Sequence, residues 1–158
     1  MEVNPQLELL AKIRHFLAQR STLTLATVDE EGQPHAAALF FAEAEDHTFI
    51  FLSGLKSRHS LNVAHNGLAA VTVQGETWNW REIAGVQMRG TVTLIPAGTP
   101  RERTWEIYKA KFPFVSEFET EVSRSEFYRF QPHWIRLIDN SLRFGYREEM
   151  DLRPSEGA

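Results

Sequence analysis

The sequence predicts an α+β fold: a small antiparallel six-stranded β-barrel with flanking helices. Three observations lead there. Many short segments alternate apolar and polar residues, as half-buried strands do. They do not alternate regularly with helical segments, so a parallel β-α-β sheet is not expected. No repeat, low-complexity stretch or linker interrupts the 158 residues, which reads as one domain over 1–151 with a loose tail at 152–158. A barrel of this size has little room inside. A ligand is therefore expected against its outer side or between two copies of the chain.

Asn4-Pro5 reads as a cap and first helical residue, and Leu7, Leu10, Ile13, Phe16 and Leu17 recur at helical spacing. This predicts an N-terminal helix over 5–19, with the barrel running from 22 to 151. Residues 22–28 and 34–44 form a hairpin about the turn Asp29-Glu30-Glu31-Gly32. After Glu45-Asp46-His47, residues 48–53 read as a strand and 57–66 as a short amphipathic helix stopped at Asn66-Gly67. Residues 68–74 form the next strand. Trp78 and Trp80 would share one face if 75–82 were extended. The stretch 85–95 alternates clearly, with Val86, Met88, Gly90, Val92 and Leu94 on one face and Gln87, Arg89, Thr91 and Thr93 on the other. Thr99 caps a helix running to Lys111, with Trp105, Ile107 and Tyr108 toward the core, and Phe112-Pro113-Phe114 breaks it. A short helix within 115–125, strands at 127–130 and 133–139 on either side of Pro132, and a last strand near 144–149 complete the reading.

Composition excludes several function classes. A formal net charge of −4 gives nucleic acid no general electrostatic pull. Without cysteine there is no thiol nucleophile, disulfide or Cys-ligated zinc, which suits a reducing compartment. The first residues carry no basic n-region, and no apolar run is long enough to span a bilayer, so a cytoplasmic protein is expected. The six histidines show no H-E-x-x-H and no close pair, so no metal site is expected.

The segment carrying most chemical information is Ser53-Gly54-Leu55-Lys56-Ser57-Arg58-His59. Ser57 is a good N-cap, which places Arg58 and His59 in the first helical turn and Lys56 just outside it. Cations there oppose the helix dipole, which favours anions by ~0.3–1 kcal/mol per charge. An anion held by the free N–H groups, the Ser57 hydroxyl and these cations resolves the conflict, which reads as a phosphate cradle. The bland alternative, solvated loop charges, is equally compatible with the local pattern. No Walker loop or G-x-G-x-x-G is present.

With these residues in place, the chain resembles the FMN-binding split-barrel family typified by pyridoxamine 5′-phosphate oxidase, and more closely an uncharacterised bacterial branch of it. The matching segments are Leu25-Ala26-Thr27-Val28 with Gly32-Gln33-Pro34, the stretch 51–66 around Lys56-Ser57-Arg58-His59, and Gly85-Val86-Gln87-Met88-Arg89-Gly90. Tyr108 to Phe114 and Asp139-Asn140-Ser141-Leu142-Arg143-Phe144-Gly145 follow, and Phe112-Pro113 and 139–145 point to the branch. The resemblance implies a homodimer with FMN at the interface. It places the phosphate on Ser53, Lys56, Ser57, Arg58 and His59, and the ring edge against the backbone of Ala37, Ala38 and Leu39. Gln87 or Arg89 would tune the ring from the long strand, although a solvated strand face is the better account of both.

True oxidases carry arginine where this chain has Ala37, and an aromatic residue near Ile138; their C-terminal substrate grip is absent from Arg153-Pro154-Ser155. The expectation is thus an FMN-dependent oxidoreductase on an unknown small molecule, with no catalytic residue assignable, and not a vitamin-B6 oxidase. Two alternatives keep the fold. One binds deazaflavin or haem, the latter through His35 or His133; the other is a non-enzymatic flavin-binding or stress-related module.

Overall fold

The structure, a computed structural model, describes residues 3–153. It begins with α1 (Pro5–Ala18), whose cap Asn4 accepts the Gln6 N–H at 3.0 Å. Gln19 is the C-cap rather than a helical residue, and the buried stripe is Leu9, Ile13 and Leu17; Leu7, expected inside, is exposed. The hairpin β1 (Thr22–Val28) and β2 (Pro34–Glu43) turns at Asp29, whose carboxylate accepts the Glu31 and Gln33 amides while Gly32 takes φ +81°. A 3₁₀ turn at Glu45–His47 leads into β3 (Phe49–Ser53), then α2 (Arg58–His65) and β4 (Leu68–Gln74). The chain continues through β5 (Ala84–Leu94), α3 (Thr99–Lys111), a 3₁₀ segment at Pro113–Phe118, α4 (Glu119–Ser123), β6 (Glu126–Asp139) and β7 (Arg147–Asp151).

All strand pairings are antiparallel, in the order β3-β2-β1-β4-β5-β6-β7, and β3 pairs again with β6. That pairing closes six strands into a barrel and leaves β7 as an extension, so the six-stranded α+β expectation holds. One long strand serves both purposes. Residues 126–130 of β6 close the ring against β3, and residues 134–138 carry β7.

Several local expectations change. The two strands foreseen around Pro132 are one, because a register shift opposite Arg89 and Gly90 absorbs the proline, which has no N–H to give the ladder. A Cβ at Gly90 would stand 2.0 Å from the Gln131 carbonyl oxygen, so this bulge requires glycine. Gly98, at φ +86°, is the cap of α3, and Thr99 lies inside the helix without capping it. Trp78 and Trp80 do not share a strand: Trp78 is fully exposed and Trp80 opens a 3₁₀ turn. The last strand starts later than foreseen because residues 140–146 are held as a loop by Asn140, which donates to the Trp80 carbonyl and accepts the Gly145 N–H. Leu152, expected in a loose tail, packs on the core and donates its N–H to the His133 carbonyl; the rest of that tail beyond residue 153 lies outside the described residues.

Two apolar clusters hold the fold. The barrel interior contains Leu23, Leu25, Phe41, Phe51, Val86, Met88 and Phe130, capped by Ile13 and Leu17 of α1. A second cluster outside the ring packs Ala42, Ile50 and Phe127 under Tyr108, Phe112, Val115 and Val122. Alternation of side chains along β2, β3 and β6 feeds both. Burial of the Tyr108 hydroxyl in the second cluster pushes its pKa up to about 12.

Candidate functional site

The β2–β3 ladder pairs Glu43 with Phe49, Ala42 with Ile50 and Phe41 with Phe51, and then stops. Continuing that register would set Leu39 opposite Ser53. Instead the strands part, and Pro34–Phe40 has no strand partner on its far side. The Phe41 N–H donates to the Ser21 carbonyl at 3.0 Å. By antiparallel alternation, the N–H groups of Ala37 and Leu39 likewise point to β1, while those of Ala36, Ala38 and Phe40 point to the open edge. Of the three backbone positions expected to meet a ring, Ala38 alone presents its amide there. The side chains of Ala37 and Leu39 point inward, opposite Leu25 and Leu23.

At the mouth of this split stands the N-terminus of α2. Ser57 caps it in extended conformation, its hydroxyl 3.3 Å from the Ser60 N–H. The Ser53 hydroxyl lies 3.0 Å from that of Ser57 and 2.5 Å from His59 Nε2, and His59 Nε2 is 3.2 Å from the Ser57 hydroxyl. Ser57 also donates to the Gly54 carbonyl or the Ser60 hydroxyl. Burial lowers the His59 pKa below its ordinary value and so favours the neutral imidazole. The charge of one expected cation is therefore disfavoured in the free protein, which relaxes the conflict with the helix dipole.

The other two cations do not join this cluster. Lys56 is exposed, and Arg58 lines a neighbouring cavity of about 510 Å³ beside Asp29, Glu30, Glu31 and His35. Asp29 is held below the usual carboxylate range by the Gln33 amide and by His35, whose Nε2 is 3.1 Å away. His35 is thus a satisfied strand histidine. Gln87 belongs elsewhere: the register runs Ala38–Thr24–Thr72–Gln87, so three strand spacings, ~14 Å, separate it from Ala38.

The sequence reading missed what anchors the cluster. α2 buries Ser60 and Asn62 and leaves Leu61 exposed, so Val63 is its one aliphatic contact with the barrel core among the described residues. Asn62 donates to the Thr27 hydroxyl at 3.0 Å and so fastens the helix to β1. The only signal available was an asparagine and a serine where an amphipathic helix should carry aliphatics.

The donor set of the split mouth suits phosphate oxygens. Two hydroxyls, an imidazole and the Ser60 N–H converge, no carboxylate is among their hydrogen-bond partners, and two cations lie within two residues of Ser57. Among the described residues no group of three or more metal-ligating side chains gathers anywhere, and no helix is long and apolar enough to cross a membrane.

Comparison with known proteins gives these features a family. The profile described as pyridoxamine 5′-phosphate oxidase matches residues 9–139. An Escherichia coli protein named UPF0306 protein YhbP is 28% identical over 140 residues, covering 88% of this chain and 90% of that one. A pyridoxine/pyridoxamine 5′-phosphate oxidase from Burkholderia mallei is 40% identical over 55 residues, 35% of this chain but only 26% of the oxidase. Among solved structures, a haem-binding protein from Mycobacterium smegmatis superposes with a TM-score of 0.72 at 16% identity, over 87% of this chain and 55% of that one; the chain spans about half its length, and the likeness is one of fold. With the profile covering most of the barrel, the chain belongs to the pyridoxamine 5′-phosphate oxidase family.

Proposed function

We propose that this chain is an FMN-binding member of its family that works as a homodimeric oxidoreductase on a small molecule other than a vitamin-B6 phosphate. The observation that carries the reading is the convergence of Ser53, Ser57 and His59 at the mouth of the split, beside the free edge of β2. The phosphate takes the place of the internal contacts among these three side chains, and Arg58 and Lys56 swing toward it. The ring edge runs along β2, where the Ala38 N–H serves as donor. When bound, the flavin supplies the electron transfer; the protein binds, orients and shields it.

Two features support the finer parts. The open edge of β2 offers one wall only, which supports a second copy of the chain as the other wall of the ring site. The methyl of Ala37, standing where oxidases have arginine, speaks against vitamin-B6 turnover. The haem alternative has two histidines, both engaged: His35 with Asp29, and His133 with Thr91 at 3.2 Å.

An absorption spectrum of the purified protein decides between flavin and haem, through a two-banded flavin spectrum against a Soret band. Titration then tests the cradle. Lys56→Ala with Arg58→Ala weakens FMN more than riboflavin, by about 1 kcal/mol per exposed charge. Equal losses for the two ligands, or a colourless protein that takes up no FMN, overturn the reading. Flavin reduction by NAD(P)H separates an enzyme from a flavin store.

A further inference from the structure

Among the described residues, Asp46 and His47 are the only non-glycine positions with left-handed backbone, at φ +57° and +58°. They lie in the turn between β2 and β3, and hydrogen bonds hold that turn in place. The Ala44 N–H donates to the Thr48 carbonyl at 2.8 Å, and the Thr48 hydroxyl donates to the Glu45 carbonyl at 2.7 Å. Two adjacent unfavourable angles persist because the bonds around them over-determine the turn. The result is that Glu45 and Asp46, both exposed, line a cavity of about 410 Å³.

The other walls of this cavity are α3 and β6. Pro100, Arg103 and Ile107 share one face of α3 at helical spacing, and all three line it. Tyr128 and Phe130 face the barrel core, so alternation turns Arg129 outward, where it stands between Ile50 of β3 and Thr93 of β5. Arg129 lines the cavity as well.

Arg103, Arg129, Glu45 and Asp46 thus share one hollow, yet none of the four makes an ion pair among the described residues. The hydroxyls of Thr48 and Thr104 also line it, but both are spent on backbone carbonyls, those of Glu45 and Pro100. Two guanidinia and two carboxylates are left as its uncommitted recognition groups. Their charges balance, so the cavity is dipolar rather than cationic or acidic.

We propose that this cavity binds a short ω-amino acid, its carboxylate on Arg103 and Arg129, its ammonium on Glu45 and Asp46, and its methylenes against Ala44, Pro100 and Ile107. A dicarboxylate would meet the two acids, and a diamine the two arginines; a molecule with one charge of each sign at its two ends meets neither penalty. An α-amino acid carries both charges on neighbouring atoms, whereas here the cations and carboxylates do not come together. No residue of α2, β1, β2, β4, β5 or β7 lines the cavity, so the inference stands independently of flavin binding and of a second copy of the chain.

Calorimetric titration of the whole protein with 4-aminobutyrate, 5-aminopentanoate and 6-aminohexanoate tests it, with the alkanoate and the alkylamine of each length as single-charge counterparts. Saturable binding is expected for at least one amino acid of the series, weakened about tenfold or more when either end is missing. Arg103→Met with Arg129→Met abolishes the preference for the amino acid over the amine. Glu45→Gln with Asp46→Asn abolishes the preference over the alkanoate, and asparagine keeps the left-handed angle at position 46. FMN titration of both variants is unchanged, and Ser57→Ala leaves amino-acid binding intact, so the two sites fail separately. Absence of saturable binding across the series, or a single-charge counterpart that binds as tightly as its amino acid, overturns the proposal. So does unchanged amino-acid affinity in either double variant.

Discussion

The side-chain amide of Asn62 donates to the hydroxyl of Thr27 at 3.0 Å, and both residues are buried. This bond, together with Val63 packed on the barrel core, seats α2 against the barrel. Asn62→Ala leaves the Thr27 hydroxyl without its partner and is expected to cost ~1–3 kcal/mol. Urea unfolding should show a lower midpoint at unchanged slope. Adding Thr27→Val should recover part of the loss, since the orphaned hydroxyl is then gone as well.

His59 makes stability depend on pH in a defined direction. Burial lowers its pKa in the folded chain below the ordinary value of 6.5. Well above pH 6.5 the imidazole is neutral in both states and contributes no pH dependence. As pH falls through 6.5 toward the folded pKa, the unfolded chain takes the proton more readily, and stability declines. His59→Gln should flatten that part of a pH–stability profile. If the phosphate of FMN sits on this imidazole, it favours the charged form, so FMN binding should be accompanied by proton uptake near neutral pH, measured by calorimetry in buffers of different ionisation enthalpy.

The bulge leaves no space for a methyl group. Gly90→Ala would bring its Cβ onto the Gln131 carbonyl oxygen. Strand separation at that point is expected to cost ~1–3 kcal/mol, or to prevent folding altogether. Near-UV circular dichroism, which reports the Trp134 environment, should change in any soluble product.

Asn140 is buried and joins two loops through the Trp80 carbonyl and the Gly145 N–H. Asn140→Ala strands both groups, with an expected loss of ~1–3 kcal/mol. The edge-on contact of Trp80 with Phe144, at 5.7 Å between centroids, should loosen with it. Trp80 fluorescence read in a background with Trp78, Trp105 and Trp134 each changed to Phe should show a more solvent-exposed emission.

Periodicity made α1, the first hairpin, β4 and β5 legible, because each buries one face and its pattern repeats over two or more turns or pleats. Ser57 was legible as a cap for the same local reason. What escaped were features decided by distant neighbours. Pro132 reads as a break until Gly90 is seen to lie across from it. Gly98 competes with Thr99 for the cap of α3 through a backbone angle that residue type alone does not decide. Segment 53–59 was legible as a strand end leading into a capped helix, but its three cations were not separable in sequence. Whether His59 is charged depends on burial, and whether Arg58 faces the cradle or the acidic turn depends on how α2 sits on β1. Gln87 shares a face with Ala38 yet stands three strands away, a distance set by sheet order.

The ring is shut by a strand near the end of the chain meeting one from its first third, and no intermediate length of polypeptide can make that junction. During synthesis the segments up to β5 must therefore wait as an open, curved sheet with both borders exposed. Slow refolding and sensitivity to aggregation before release of residues 126–130 from the ribosome are the kinetic signature this architecture implies.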